Sequence, residues 1–237
     1  WGCIEARKDG VIEKSREMGA SWLCLLLMEW SWHFHRNKKY LLISRDADAV
    51  DNPGDPDCLM WKIDFVHRHL PDWLVPDLKR VKFSFENRAN NSFITGQAST
   101  GKAGVGGRAT AMFVDEFSQI KEDREVLNRT SDTTGCRIFN GTHKGTGTAF
   151  FDLTVGTARG FIRKIQMHWS KHPDKSKGMY SWDASGQRIV FHDPNYNYPP
   201  EYVFVTDGTP TGGPFPGLRS PWYDEQCQRK STLRAIA

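Results

Sequence analysis

The chain has 237 residues, with 32 Lys and Arg against 28 Asp and Glu for a formal charge of +4, 38% hydrophobic residues and nine tryptophans. That balance excludes a disordered polymer and leaves room for one large domain with a buried core, or one domain plus a small appendage. The slight basic excess is compatible with a nucleic-acid partner without requiring one.

Five cysteines, Cys3, Cys24, Cys58, Cys136 and Cys227, are widely spaced with no C-x-x-C. They read as reduced thiols of a cytosolic protein. The chain opens at Trp1 with no signal peptide, as expected of a fragment of something longer. The apolar run Trp22 to Met28 stops at Glu29, too short to span a bilayer. A helix apolar on nearly all sides predicts burial against a sheet.

In chain order, Val11 and Ile12 form a short strand signal that runs into Lys14, Ser15, Arg16, Glu17, Met18 and Gly19, and a helix opens at Ala20 and Ser21 and continues to about His35. Tyr40 to Ser44 predicts a buried strand, Asp51 to Pro56 a turn-rich break, and Cys58 to Leu70 a helix ended by Pro71. Val81 to Phe85 and Ser92 to Thr95 predict the two strands of a hairpin across Glu86 to Asn91. A glycine-rich loop, Gly101 to Gly107, precedes a strand from Ala109 to Val114 that delivers Asp115 and Glu116. Further signals are a helix from Glu122 to Ser131, a strand from Arg137 to Asn140 closed by Gly141, Thr142 and His143, a short helix at Phe150 to Leu153 and a strand from Phe161 to Met167. Strands alternating with helices predict an α/β domain with a mostly parallel sheet, whose ligands sit beyond the strands' carboxyl ends. Past Trp169 the chain becomes polar and rich in proline and glycine, with a hairpin over Gly178 to Phe191 and a last helix from about Pro221 to Ala237. The expected division is therefore 1–169 for the core and 170–237 for an appendage.

Strand, loop and helix in that order make a phosphate-binding loop, although Ala20 holds the usual lysine position of G-x-x-x-x-G-K-[ST] and Lys14 the first glycine. Lys14 or Arg16 can supply the cation from the front of the loop, and the helix after Gly19 aims free N–H groups and its positive end at an anion. Taken alone, the stretch reads equally well as an ordinary strand-to-helix turn. Asp115 and Glu116 at the end of an apolar strand match the second half of a nucleotide-hydrolysing site, the aspartate for Mg²⁺ and the glutamate for the attacking water.

A rival stretch, Gly96 to Ala103, keeps the lysine of the pattern at Lys102 but has no helix after it, so it reads as a flexible surface loop. Arg108 ends that loop and could reach a neighbouring subunit's nucleotide, where an arginine finger is worth about 10³–10⁵ in rate, or else lie in water. Asn140, Gly141 and Thr142 could sense the γ-phosphate or form a polar turn. His33 and His35, and His67 and His69 near Cys58, complete no zinc spacing and read as core or surface histidines.

With these residues in view, the chain resembles the ATPase domain of a large terminase subunit, the motor that packages DNA into tailed-phage capsids. KSREMGAS (Lys14 to Ser21) fits that family's K-x-R-x-x-G-x-S variant loop, MFVDEF (Met112 to Phe117) its acidic strand and NGT (Asn140 to Thr142) its coupling motif. The resemblance implies a P-loop NTPase fold of the additional-strand, catalytic-glutamate type with a small C-terminal lid and linker. It also implies ATP and Mg²⁺, with Lys14, Ser15, Arg16, Glu17, Met18, Gly19, Ala20, Ser21 and Trp22 around the nucleotide. Lys14 would contact the β- and γ-phosphates, and Arg16 would sense the γ-phosphate or a subunit contact. Ser21 and Asp115 would hold Mg²⁺, Glu116 would activate water, and Thr142 would couple hydrolysis to movement. Arg108 resembles the family's trans-acting finger in location only.

Implied partners are double-stranded DNA through its phosphates, the portal protein, the small terminase subunit and further copies in a ring on the procapsid, in the host cytoplasm. The isolated piece would be a monomer. Candidate DNA contacts are Arg163, Lys164, Lys171, Lys175 and Lys177, each of which also reads as part of a solvated basic face. The family's upstream adenine-contacting segment is missing or abbreviated, and the chain stops before a nuclease's acidic cluster, so no nuclease activity is expected. The rivals are a helicase-like motor on the same fold and a nucleotide-gated scaffold without catalysis.

Overall fold

The computed structural model describes residues 1–99, 103–104, 107–156, 162–183, 185–205 and 217–229. The chain divides into two compact units, Trp1–Gln166 and Met167–Ala237.

In the first unit, helix α1 (Gly2–Ala6) leads to strand β1 (Gly10–Lys14), helix α2 (Ala20–Phe34), strand β2 (Lys39–Ser44), helix α3 (Ala47–Val50) and helix α4 (Leu59–His69). Strands β3 (Leu78–Val81), β4 (Ser84–Asn87) and β5 (Ser92–Ala98) follow. Then come β6 (Ala111–Val114), α5 (Asp123–Arg129), β7 (Arg137–Gly141), α6 (Ala149–Thr154) and β8 (Arg163–Met167). The eight strands form one sheet in the order β3-β4-β5-β2-β6-β7-β1-β8. Neighbours from β5 through β1 run parallel, and β3, β4 and β5 pair antiparallel. The strand that carries the phosphate-loop signal, β1, is thus separated from the acidic strand β6 by β7.

Alternation along the strands divides the core between the two faces of the sheet. Val11, Leu41, Ile43, Met112, Val114 and Phe139 pack with Phe150 and Leu153 of α6. Tyr40 points the other way, and its hydroxyl meets Ser31 Oγ of α2 at 2.6 Å. Glu29 of α2 joins α2 to α4 by accepting from His67 Nε2 at 3.1 Å, and it also meets His33 Nδ1 at 3.2 Å. Two of the paired histidines therefore do structural work, and among the described residues no group of three or more His, Cys, Asp or Glu could hold a metal ion. All five cysteines are free, and no described helix is long and apolar enough to cross a membrane.

Helix α2 is buried against the sheet and α4 on one side, as expected, and Leu23, Leu26, Trp30 and Phe34 are exposed along a stripe on the other. Two expectations are corrected. The run Val81 to Phe85 is not one strand but the join of β3 and β4 through a two-residue turn at Lys82 and Phe83. Phe83 takes φ +61, a conformation its side chain does not favour. It is held there by its N–H donating to Asp51 Oδ2 at 2.5 Å and its carbonyl accepting from Gly96 N at 2.9 Å. Finally, Gly96 to Ala98 lie within β5, level with Leu42, Ile43 and Ser44 of β2, so the rival phosphate stretch begins as sheet rather than loop. Thr100, Gly101 and Lys102 lie outside the described residues, as do Val105, Gly106, Phe161 and the end of the last predicted helix with Leu233 and Ile236.

The second unit holds a hairpin of β9 (Tyr180–Trp182) and β10 (Ile189–Phe191), and helix α7 (Pro221–Arg229). Its core is aromatic, with Trp169 stacked on Tyr223 at 4.9 Å between ring centroids. At its centre Asp224 is buried and receives Arg219 Nε at 2.7 Å and the Tyr180 hydroxyl at 2.7 Å, together with the Tyr202 hydroxyl. A buried carboxylate needs such partners, since an unpaired one is strongly unfavourable.

Candidate nucleotide site

The parallel register brings the candidate residues to one edge of the sheet. Val114 is level with Phe139 and Ile12 with Asn140, so the ends of β6, β7 and β1 come together at their carboxyl termini. Lys14 is the last residue of β1, and its turn runs to Gly19, which caps α2 at φ +72 with no side-chain cap bond. The left-handed conformation suits glycine, and it leaves the first turn of a 15-residue helix uncapped by side chains beside the strand ends. Glu17 also takes a positive φ, +54. Ser15 and Ala20 are buried, Met18, Ser21 and Trp22 are half-buried, and Arg16 and Glu17 are exposed.

Two contacts knit this turn to β6. Lys14 Nζ meets Glu116 Oε1 at 3.0 Å, with the lysine 9% exposed. Ser21 Oγ lies 3.0 Å from both carboxylate oxygens of Asp115. Asn140 Nδ2 adds a donor to Asp115 Oδ1 at 2.5 Å and approaches Ser21 Oγ at 3.3 Å. Burial raises the Asp115 carboxyl above its ordinary range, and the adjacent Glu116 charge adds to the rise against the bonds from Asn140 and Ser21 and the charge of Lys14. Glu116 takes φ +48, ψ +41, a left-handed conformation in a non-glycine residue of the kind that collects at functional sites.

Gly141, the last residue of β7, is level with Glu13, and Thr142 follows it. The Thr142 hydroxyl and Asn140 Oδ1 are buried without a hydrogen-bond partner among the described residues. A hydroxyl and a carboxylate in contact form an oxygen donor set of the kind a hard divalent cation takes. With an orphaned amide oxygen beside them and an uncapped helix terminus for an anion, the residues present fit a Mg²⁺–nucleotide pair.

Arg108 is not part of this cluster. It is exposed ahead of β6, where Thr110 N bonds Lys39 O, so it lies toward the amino end of the strand whose carboxyl end carries Asp115. Among the basic candidates, Lys164 is engaged with Glu13 and Lys175 is buried with its ammonium over the Trp222 ring, while Lys177 pairs with Asp174. Arg163 and Lys171 are exposed. The sequence reading missed Glu13 of β1 and its pairing with His143, and took Lys164, Glu13's other partner, for a DNA contact. A charged residue inside a buried strand was the available signal.

No family model and no curated protein matches the chain. Among solved structures, it is similar to the large terminase of a thermophilic bacteriophage in complex with ADP, with a TM-score of 0.51 and 12% identity over 69% of this chain and 41% of that one. The HK97 bacteriophage large terminase gives a TM-score of 0.51 and 10% identity over 70% of this chain and 36% of that one. About 70% of the chain shares its fold with part of these large terminases. It spans about two-fifths of the length of the terminases it matches.

Proposed function

We propose that this terminase-like chain hydrolyses ATP with Mg²⁺ to drive double-stranded DNA into a procapsid, as one copy in a ring docked on the portal. The observation that carries the proposal is the double junction at one sheet edge, Lys14 with Glu116 and Ser21 with Asp115.

The chain's own residues divide the work. The turn from Lys14 to Gly19 and the uncapped start of α2 bind the phosphates, and Lys14 exchanges Glu116 for phosphate oxygens. Glu116, released, orients and polarises the attacking water. Ser21 and Asp115 would hold Mg²⁺, which when bound neutralises charge on the phosphates. Thr142, whose buried hydroxyl has no hydrogen-bond partner among the described residues, is assigned to couple hydrolysis to movement. Arg16, exposed in the loop, is assigned to the γ-phosphate or a subunit contact. Arg108, toward the amino end of β6, can act only on a neighbour's nucleotide. Arg163 and Lys171, both exposed, are assigned to DNA phosphates, independent of sequence. The small terminase subunit and the host cytoplasm complete the assignment.

The test is ATP turnover with Mg²⁺ over a range of protein concentrations, with and without DNA, for the wild type, Lys14→Ala and Glu116→Gln. Loss in both variants and turnover that rises with concentration are expected. Turnover indifferent to both substitutions would remove the assignment.

A further inference from the structure

Glu13 and Lys14 are adjacent on β1, and alternation turns them to opposite faces of the sheet. Lys14 faces the acidic pair. Glu13, two residues after Val11 and on its face, looks toward α6. We propose that Glu13 is a positioning residue that ties the Thr142 turn to β8, holding His143 on one carboxylate oxygen and Lys164 on the other, so that a change at the phosphate loop reaches β8. This rests on the nucleotide-hydrolase reading of the site.

The geometry is specific. His143 Nε2 lies 3.0 Å from Glu13 Oε1, and Lys164 Nζ pairs with Glu13 Oε2. Lys164 also reaches Thr154 O at 3.4 Å, at the end of α6. Gly141 is the β7 neighbour of Glu13 and has no side chain to fill the space; a Cβ there would meet Phe150 and Ser118 Oγ at 3.2 Å. His143 rests edge-on against Phe150, with 5.4 Å between ring centroids. The imidazole next to Thr142 is therefore fixed on one side by an aromatic ring and on the other by Glu13. Burial works to raise the Glu13 carboxyl, and the bonds from His143 and Lys164 outweigh it, bringing it down to about 2.

One carboxylate thus carries the segment after β7 and the edge strand β8 together, directly behind the residue assigned to the phosphates. Movement of Lys14 toward a nucleotide displaces the adjacent peptide of β1. Movement of Thr142 displaces His143. Both are felt at Glu13, and β8 is the next strand out and the last before the chain enters its second unit.

The test is amide hydrogen exchange of the full chain with and without Mg²⁺ and ATPγS, in the wild type, Glu13→Gln and Lys164→Met, with Lys164→Arg as the conservative variant. In the wild type, nucleotide is expected to slow exchange in both the phosphate loop (14–22) and β8 (163–167), the latter at least about threefold. In Glu13→Gln and Lys164→Met the loop keeps its protection and β8 loses its response, while Lys164→Arg retains it. A purely structural role would raise exchange in β8 equally with and without nucleotide. Persistence of the β8 response in both disruptive variants, or no response in the wild type with the loop protected, would overturn the link alone. Absence of loop protection in the wild type would overturn the nucleotide site itself, and the link with it. Should Glu13→Gln fail to fold, Lys164→Met decides.

Discussion

Lys14 Nζ and Glu116 Oε1 are 3.0 Å apart, so the cation assigned to the phosphates and the carboxylate assigned to water hold one another. Nucleotide has to break that pair to recruit the lysine. Glu116→Gln is therefore expected to tighten ATPγS binding about two- to fivefold, the scale of an ion pair with one partly exposed partner. It should also lower turnover by about 10²–10⁴. Calorimetric titration with ATPγS beside a turnover assay checks both. Weaker binding in the variant would show that the pair does not compete with nucleotide.

Asp115 sets a pH dependence. Burial raises its carboxyl above the ordinary range, so between the ordinary value and the raised one the native state binds more protons than the unfolded chain. Stability without Mg²⁺ then falls as pH rises through that window and stays lower above it. Asp115→Asn removes the titrating group: the variant should melt higher than the wild type above the window, with a flatter dependence through it, and lose Mg²⁺-dependent turnover. Melting curves taken across pH without Mg²⁺ give the comparison. A lower melting temperature for the variant above the window would show that the bonds from Ser21 and Asn140 outweigh the burial of the charge.

The site was more legible than its surroundings, for a physical reason. Lys14, Gly19, Ser21, Asp115 and Glu116 fall at strand ends and a helix start, where local sequence dictates backbone shape. The parallel pairing of β1 with β7 and of β6 with β7 then brings them together. The Lys82 and Phe83 turn was illegible because its positive φ is imposed from afar, by Asp51 and Gly96, rather than by a glycine or asparagine in the turn. The exposed stripe of α2 was equally hidden, since composition shows an apolar helix but not which side the sheet covers. Glu13 needed the pairing of three strands before its partners could be named.

The second unit depends on one carboxylate. Asp224 is 3% exposed and holds Arg219, Tyr180 and Tyr202 at once. Asp224→Ala leaves a buried guanidinium and two hydroxyls without their acceptor, a change that typically costs about 3–5 kcal/mol. Urea unfolding followed by tryptophan fluorescence, with Trp169 in the same core, should report a destabilised transition, while ATPγS binding at the first unit stays within about twofold. Equal loss of nucleotide binding would mean that the two units do not fold independently.

Gly96 separates the rival loop from the sheet in a single substitution. It lies in β5 level with Leu42, and a Cβ built on it would come 2.4 Å from Val50 Cγ1 and 2.9 Å from the Met60 methyl, with Phe83 at 3.6 Å. Val50 and Met60 are both fully buried in α3 and α4, so neither can simply swing into solvent. Gly96→Ala should therefore destabilise the protein by about 1–3 kcal/mol through overpacking, despite the conformational advantage alanine has over glycine in a strand. A phosphate-binding role for the same stretch predicts something else, a loss of nucleotide affinity with little change in stability. Denaturant unfolding and ATPγS titration of the one variant distinguish the two, and the packing account requires a lower midpoint with an unchanged dissociation constant.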